Sequence, residues 1–141
     1  MAIKTALNNK LALIEGPPGT GKTYTASKII QVLSDQLKNH QFQYSHKKSI
    51  ILVTSDSNKA LNRLGEQLII DGVAIARVVS RGSIHKIPQA SPLYKRLVNN
   101  SLVKNSRKWK LRIRDTLNES NVVLSTALNC SNLKNSGIGE D

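Results

Sequence analysis

The sequence has few cysteines, few aromatic residues and few acidic groups. Of its 141 residues one is cysteine, 4% are aromatic, and nine are acidic against 21 lysines and arginines. The single thiol, Cys130, excludes an internal disulfide and a multi-cysteine zinc site. No apolar run approaches the roughly 18–20 residues of a membrane span, and residues 1–10 lack the long apolar stretch of a signal peptide. We therefore expect a soluble, intracellular protein, in cytoplasm or nucleus, without a membrane partner.

The content of hydrophobic and basic residues suffices for one basic globular domain. Hydrophobic residues make up 39% of the chain, and the formal net charge of +12 suggests a polyanionic partner such as nucleic acid or a nucleotide. Charge is densest in the basic cluster, residues 104–114, which holds six lysines and arginines, no acidic residue, and Trp109. Cations beside a stacking aromatic suit single-stranded nucleic acid. Trp109 also falls at helical spacing with Ile113 and Leu117, which favours a core position for it and leaves the basic residues either facing nucleic acid or solvated.

Apolar patterning predicts strands and helices in alternation. The predicted elements are, in order, a strand at 11–14, a helix over 23–37, a strand at 49–54, a helix between the N-cap candidates (Asp56, Ser57, Asn58) and Gly72, a strand at 73–79, a helical segment over 93–116 and a strand at 122–124. Strands separated by helices indicate an α/β fold with a parallel sheet.

The strongest motif is a complete G-x-x-x-x-G-K-S/T sequence between the first predicted strand and the first predicted helix. It consists of Gly16, Pro17, Pro18, Gly19, Thr20, Gly21, Lys22 and Thr23. Glycines allow successive backbone N–H groups to converge on phosphate oxygens, and the helix N-terminus adds its dipole. Lys22 would reach the β- and γ-phosphates of ATP, and the Thr23 hydroxyl would coordinate Mg²⁺. Tyr24 follows directly and could touch the nucleotide, although packing is its favoured role.

This phosphate-binding loop (P-loop) occurs in AAA+ ATPases and in superfamily 1 helicases, so other residues must separate the two classes. An AAA+ ATPase needs an apolar strand that ends in Asp-Glu. The candidate for it, residues 68–71, is followed by Gly72 instead of glutamate and continues the helical spacing of Leu61 and Leu64. We interpret Asp71 as a helix-end residue and keep the AAA+ class as an alternative.

Four stretches resemble the superfamily 1 RNA/DNA helicases, in the branch that includes senataxin and the helicase of nonsense-mediated decay. Residues 11–23 resemble motif I with its strand, 51–61 motif Ia, 78–81 the following strand with its Ser-Arg (motif Ib), and 122–126 motif Ic. The resemblance covers nearly the whole chain. It implies a P-loop NTPase (RecA-like) three-layer α/β fold with a mainly parallel sheet, the cofactors ATP and Mg²⁺, and catalytic roles for Lys22 and Thr23.

The same resemblance implies a set of contacts to the sugar-phosphate backbone of single-stranded RNA or DNA. The implied positions are Thr54, Ser55, Ser57, Asn58, Arg81, Ser125 and Thr126. Hydroxyl and amide groups at strand ends suit phosphate contacts that carry no sequence information. Ordinary capping and turn roles remain open for the small polar residues, as does a solvated surface role for Arg81.

The sequence lacks two parts of the family pattern. No apolar strand ending in Asp-Glu (motif II) is found, and a second RecA-like domain is absent. We therefore expect residues 1–141 to be a partial helicase ATP-binding domain, incomplete in its sheet and inactive alone, within a longer ATP-dependent helicase. The alternative is a truncated, non-hydrolysing module that binds nucleotide or nucleic acid.

Overall fold

The computed structural model describes residues 2–41, 49–80, 83, 85–99 and 119–134. The helices in this part of the chain are α1 (Ala2–Asn8), α2 (Lys22–Gln41), α3 (Asn58–Ile70) and α4 (Ala127–Lys134). Its strands are β1 (Ile51–Ser55), β2 (Ile75–Val79), β3 (Leu97–Asn99) and β4 (Val122–Thr126), and a short 3₁₀ helix spans Pro92–Arg96. None of the described helices is both long and apolar enough to cross a membrane.

The strands form a four-stranded sheet in the order β1-β4-β2-β3, and every neighbouring pair is parallel. Leu124 of β4 pairs with Val53 on one side and with Arg77 on the other. Parallel neighbours need crossover connections, and α3 lies in the connection from β1 to β2. The prediction of an incomplete α/β fold with a parallel sheet is confirmed.

The core lies between α3 and the sheet. Leu61, Leu64 and Leu68 of α3 are buried, as their helical spacing predicts. Every residue of β2 and β4 is buried, whereas β1 alternates between half-buried and exposed positions. A continuous apolar run is typical of a strand buried on both faces, yet the run at 51–53 belongs to β1, the less buried strand.

Gly65 allows α3 to approach the sheet closely. A Cβ atom at this position would lie 2.9 Å from side-chain carbons of Leu124 and Leu93 and 3.3 Å from one of Ile75. Real Cβ atoms do not come within 3 Å of such carbons, so any side chain here would displace its neighbours. The spacing between helix and sheet therefore depends on a glycine in the middle of α3.

Several predicted elements are confirmed with small shifts at their ends. Helix α2 begins one residue earlier and ends four residues later than predicted, and Ile30 of its apolar face joins the core. Helix α3 has Ser57 as its N-cap, where the hydroxyl oxygen accepts from the N–H of Ala60 at 3.2 Å. Its C-cap is Asp71, as interpreted from the helical spacing.

The predicted strand at residues 11–14 is wrong. These residues form no strand, and Leu11 and Leu13 are 90% and 82% exposed. A strand requires a neighbour to pair its backbone groups, and the four described strands pair only with one another. An apolar run alone shows which side chains favour burial, but it does not supply the partner strand.

The start of the predicted helical segment over 93–116 is also wrong. The chain forms the 3₁₀ helix and then β3, whose residues 97–99 pair in parallel with 77–79 of β2. Pairing with an existing strand outweighs the weak helical pattern here. Residues 100–118 lie outside the described residues, as does the basic cluster with Trp109. Helices α1 and α4, of seven and eight residues, were not predicted.

Candidate nucleotide and nucleic-acid site

The P-loop is a turn that leads directly into α2. Gly19 and Gly21 have φ angles of 81° and 80°, a left-handed backbone conformation that residues with a Cβ atom rarely adopt. Helix α2 begins at Lys22, and the N–H of Thr25 donates to the Gly21 carbonyl oxygen at 2.9 Å. The first turn of α2 therefore presents its N-terminal N–H groups and the positive end of its dipole beside the loop.

Lys22 folds back over its own loop. Its ammonium lies 2.6 Å from the carbonyl oxygens of Gly16 and of Pro17, and the Thr20 hydroxyl donates to that same Pro17 oxygen at 2.8 Å. The close approach of Thr20 to the start of the loop requires a glycine at position 16, because a Cβ atom there would lie 2.7 Å from the Thr20 hydroxyl oxygen. The loop is thus held in shape by its own side chains.

The residues of the loop offer a donor set that suits ATP with a divalent cation. Residues 17–24 are exposed, so the Lys22 ammonium and the Thr23 hydroxyl are open to a ligand. Backbone N–H groups and an ammonium match phosphate oxygens, and a hydroxyl oxygen is a ligand that hard divalent cations accept. Tyr24 is 62% exposed, and the Lys28 ammonium lies 5.5 Å from its ring centroid. The packing role that the sequence favoured for Tyr24 is therefore wrong, because its side chain does not lie in the core.

The sheet brings two groups of candidate nucleic-acid residues together. Thr54 pairs in register with Ser125, and Ser55 with Thr126, at the carboxyl ends of β1 and β4. In the sequence these residues belong to separate motifs some seventy positions apart. The adjacency follows from the strand order, because β4 inserts directly beside β1.

The side chains in this group differ in how far they are open to a ligand. Thr54 and Ser57 are exposed, and Ser55 and Asn58 are half-buried. The Ser55 hydroxyl accepts from the N–H of Ser57 at 3.1 Å, which closes the turn between β1 and α3. Ser57 already serves as N-cap, and a capping hydroxyl can still approach a phosphate with a remaining lone pair.

Ser125 and Thr126 are more enclosed. Both residues are buried, and the Ser125 hydroxyl donates to the Thr126 carbonyl oxygen at 3.2 Å. A contact from Ser125 would therefore need its backbone or a rotated side chain. Arg81, the remaining candidate of this group, lies outside the described residues.

Arg77 was not singled out from the sequence, yet it lies behind the candidate nucleic-acid residues. Its Nη2 donates to Oδ1 of Asn58 at 2.7 Å, and its Nε donates to Oδ1 of Asn62 at 3.0 Å. The residue is fully buried, and burial lowers the pKa of its guanidinium below the ordinary value, to about 10. The sequence did contain a signal, namely an arginine in the middle of the apolar run 75–79.

Asp71, the residue that an AAA+ reading would use, has a structural role. It is the C-cap of α3, so the element directly before it is a helix and not the strand that a Walker B motif requires. Its carboxylate lies 3.2 Å from the Lys28 ammonium and accepts from the Gln67 side chain at 3.1 Å. Asp71 thus joins the end of α3 to α2 through Lys28, which explains its carboxylate without a Walker B role.

Part of this chain is similar in sequence to known helicases and related proteins. A "Regulator of nonsense transcripts 1 homolog" of Neurospora crassa is 39% identical over 80 residues, and the "ATP-dependent helicase upf1" of Schizosaccharomyces pombe is 32% identical over 80 residues; each alignment covers 57% of this chain. The human "NFX1-type zinc finger-containing protein 1" is 40% identical over 90 residues, or 62% of the chain. The chain spans 6%, 8% and 4% of the length of these three relatives.

The family match extends further along the chain than these alignments. A family model described as an AAA domain matches residues 1–110, which include the P-loop, α2, β1, α3 and β2. The matched relatives are of the superfamily 1 helicase type that the four motifs resemble. With most of its length inside the match, the chain belongs to this AAA domain family, in the form that superfamily 1 helicases carry.

Proposed function

We propose that this chain is the ATP-binding portion of an ATP-dependent helicase that couples ATP hydrolysis to movement on single-stranded RNA or DNA. Residues 1–141 would be a partial helicase ATP-binding domain that carries motifs I, Ia, Ib and Ic. The observation that carries the proposal is the P-loop, in which Lys22 and Thr23 open α2 beside two positive-φ glycines. The helicase relatives support it, and an intracellular location, in cytoplasm or nucleus, goes with it.

The residues of the loop would divide the work of nucleotide binding. Backbone N–H groups of residues 19–23 would hold the phosphate oxygens at the N-terminus of α2. The Lys22 ammonium would leave the carbonyl oxygens of Gly16 and Pro17 and turn to the β- and γ-phosphates. Thr23 would hold Mg²⁺ through its hydroxyl oxygen, and the bound ion neutralises charge on the phosphates. Tyr24, exposed at the next position, would lie within reach of the nucleotide.

The carboxyl ends of β1 and β4 would form the nucleic-acid interface. Thr54, Ser55 and Ser57 offer hydroxyl groups there, and Asn58 offers an amide. Together with Ser125, Thr126 and Arg81 they would hold phosphates of one strand. Such contacts fix the strand's position without reading bases, so binding should depend on salt and show little sequence preference.

A nucleotide titration tests the proposal. The 141-residue chain should bind a fluorescent ATP analogue in the presence of Mg²⁺, and Lys22→Ala should weaken binding by about tenfold to a hundredfold, since hydrogen bonds to charged groups carry about 1.5–3 kcal/mol. Lys38→Ala is the matched control, because Lys38 lies in the same helix sixteen residues after Lys22, where it pairs with Asp35 at 3.7 Å. Equal affinity for wild type and Lys22→Ala would contradict the assignment of the loop.

A turnover assay separates the remaining alternatives. ATP hydrolysis by the chain alone should be near background, with or without single-stranded nucleic acid. A Lys22-dependent rate stimulated by nucleic acid would instead show that the chain is a complete catalytic unit. The non-hydrolysing module would be favoured if a longer chain that includes the following residues also bound ATP without turnover.

A further inference from the structure

Arg77 contributes a fully buried guanidinium to the core beneath α3. It belongs to β2, on the sheet face that α3 covers, and it is the largest fully buried side chain among the described residues. Its Nη1 donates to the carbonyl oxygen of Val78 at 2.5 Å and to that of Leu124 at 3.4 Å. One side chain therefore joins β2, β4 and the first turns of α3.

The charge of Arg77 has no carboxylate partner in the described part of the chain. All four of its acceptors are neutral oxygens, two from side-chain amides and two from backbone carbonyls. The pKa of about 10 leaves the group charged at neutral pH. An apolar side chain of similar size would avoid the cost of burying a charge, so core packing alone does not explain an arginine at this position.

Arg77 determines the orientation of the Asn58 amide. A guanidinium has only donors, so the atom of Asn58 that faces it must be the acceptor, Oδ1, at 2.7 Å. The Asn58 amide nitrogen, with two N–H donors, is then the group available to the other side. Asn58 is the first residue of α3, directly after the N-cap Ser57 and three residues from the end of β1.

The same guanidinium also contacts β4 close to its carboxyl end. Leu124, whose carbonyl oxygen accepts from Arg77, precedes Ser125 and Thr126 directly. Arg77 thus connects both halves of the candidate nucleic-acid interface, the turn after β1 and the end of β4, while it contacts neither the solvent nor the P-loop.

We propose that Arg77 is a positioning residue of the nucleic-acid interface: by holding Oδ1 of Asn58 inward, it directs the Asn58 amide N–H donors to a backbone phosphate of a single strand. This inference rests on the proposed nucleic-acid function. It adds a residue that never touches the strand, together with the chemical reason that the residue must be arginine. The guanidinium has only donors, and its planar fork reaches Asn58, Asn62 and the Leu124 carbonyl oxygen at once, which a lysine ammonium does not.

The test uses the 141-residue chain, a labelled oligo(U) or oligo(dT) strand, and a temperature well below each variant's Tm. Arg77→Lys should weaken strand binding about fivefold, the loss expected when one hydrogen bond is misplaced. Asn58→Ala should weaken it by a similar factor, and the double variant should bind no more weakly than Asn58→Ala alone, because both changes remove the same contact. Arg63→Lys, at an exposed arginine of α3, is the matched control and should leave binding unchanged.

A second variant separates positioning from folding. Asn58→Asp keeps an acceptor for Arg77 and adds an ion pair, so Tm should rise, but it replaces the N–H donors by a negative charge, so strand binding should fall by more than tenfold. Strand affinity equal to that of the wild type in this variant would show that the Asn58 amide donates to no phosphate, which would overturn the inference.

Failure of the inference and failure of the proposed function give different results. If Arg77→Lys and Asn58→Asp bind the strand like wild type while Thr54→Ala weakens binding, the interface stands and the role of Arg77 is refuted. If the wild-type chain binds neither oligo(U) nor oligo(dT), both are refuted, and the ATP titration still decides the nucleotide site independently.

Discussion

The ammonium of Lys22 lies 2.6 Å from the carbonyl oxygen of Gly16, the first residue of its own P-loop. The same nitrogen also donates to the carbonyl oxygen of Pro17. Two backbone carbonyl oxygens therefore accept from the ammonium that we expect to bind the phosphates of ATP. An incoming nucleotide must exchange neutral acceptors for charged ones, and the charged acceptors are the stronger partners. The loop is therefore shaped by its own lysine before the nucleotide binds, and binding is an exchange of partners.

Hydrogen exchange should report this exchange of partners. Addition of ATP and Mg²⁺ should slow amide exchange across residues 19–23, because their N–H groups would then donate to phosphate oxygens. Peptides that cover α3 serve as an internal reference and should change little. Mass spectrometry of the deuterated chain gives both values in one experiment, and unchanged exchange in the loop at saturating ATP would contradict the assigned phosphate site.

Gly21→Ala should weaken ATP binding, and Gly72→Ala should not. Both glycines have left-handed backbones, with φ of 80° and 78°, and an added Cβ atom would meet no neighbour at either position. Each substitution should therefore cost about 1–2 kcal/mol from backbone strain alone. Gly72 follows Asp71, the C-cap of α3, so its variant is a control of equal strain outside the loop. Urea unfolding and ATP titration of the pair would measure the two effects separately, and equal loss of ATP affinity in both would refute a local role for Gly21.

Gly65→Ala should destabilise the fold without a direct effect on the loop. Its Cβ atom would come within 2.9 Å of Leu124 and Leu93, and a well-packed core resists such an insertion by about 1–3 kcal/mol. The better helix propensity of alanine, about 1 kcal/mol over glycine, offsets only part of this loss. Thermal unfolding checks the prediction. A stability equal to or above wild type would show that α3 can move away from the sheet at little cost.

Asp71→Ala should lower stability and leave the metal dependence of ATP binding unchanged. The carboxylate pairs with Lys28 at 3.2 Å and accepts from Gln67, and its loss should cost about 1 kcal/mol. If Asp71 were instead a Walker B aspartate, the variant would need much more Mg²⁺ to bind ATP. A titration of Mg²⁺ at fixed ATP distinguishes the two, and Lys28→Met should show the same loss of stability, non-additive with Asp71→Ala.

Periodicity and local motifs accounted for much of the fold. Helices α2 and α3 and strands β1, β2 and β4 were all located from apolar spacing, and Ser57 was one of three N-cap candidates suggested by residue type. These features depend on neighbours within a few residues, which a single sequence displays directly. The strand at 11–14 and the helix from residue 93 failed, because the first lacks a described strand to pair with and the second is overruled by pairing with β2.

The candidate site shows the same division. The P-loop can be identified from eight consecutive residues, because the phosphate-binding N–H groups all belong to the backbone of one turn. By contrast, the pairing of Thr54 with Ser125 depends on strand order. The buried N–H donors of Arg77 can orient the Asn58 amide only because α3 places Asn58 within hydrogen-bond distance of them. Sequence patterns carry short-range geometry and preference for burial. Which strands become neighbours, which apolar run stays exposed, and which amide a buried cation orients were decided by tertiary packing, since each requires contacts between residues far apart in the chain.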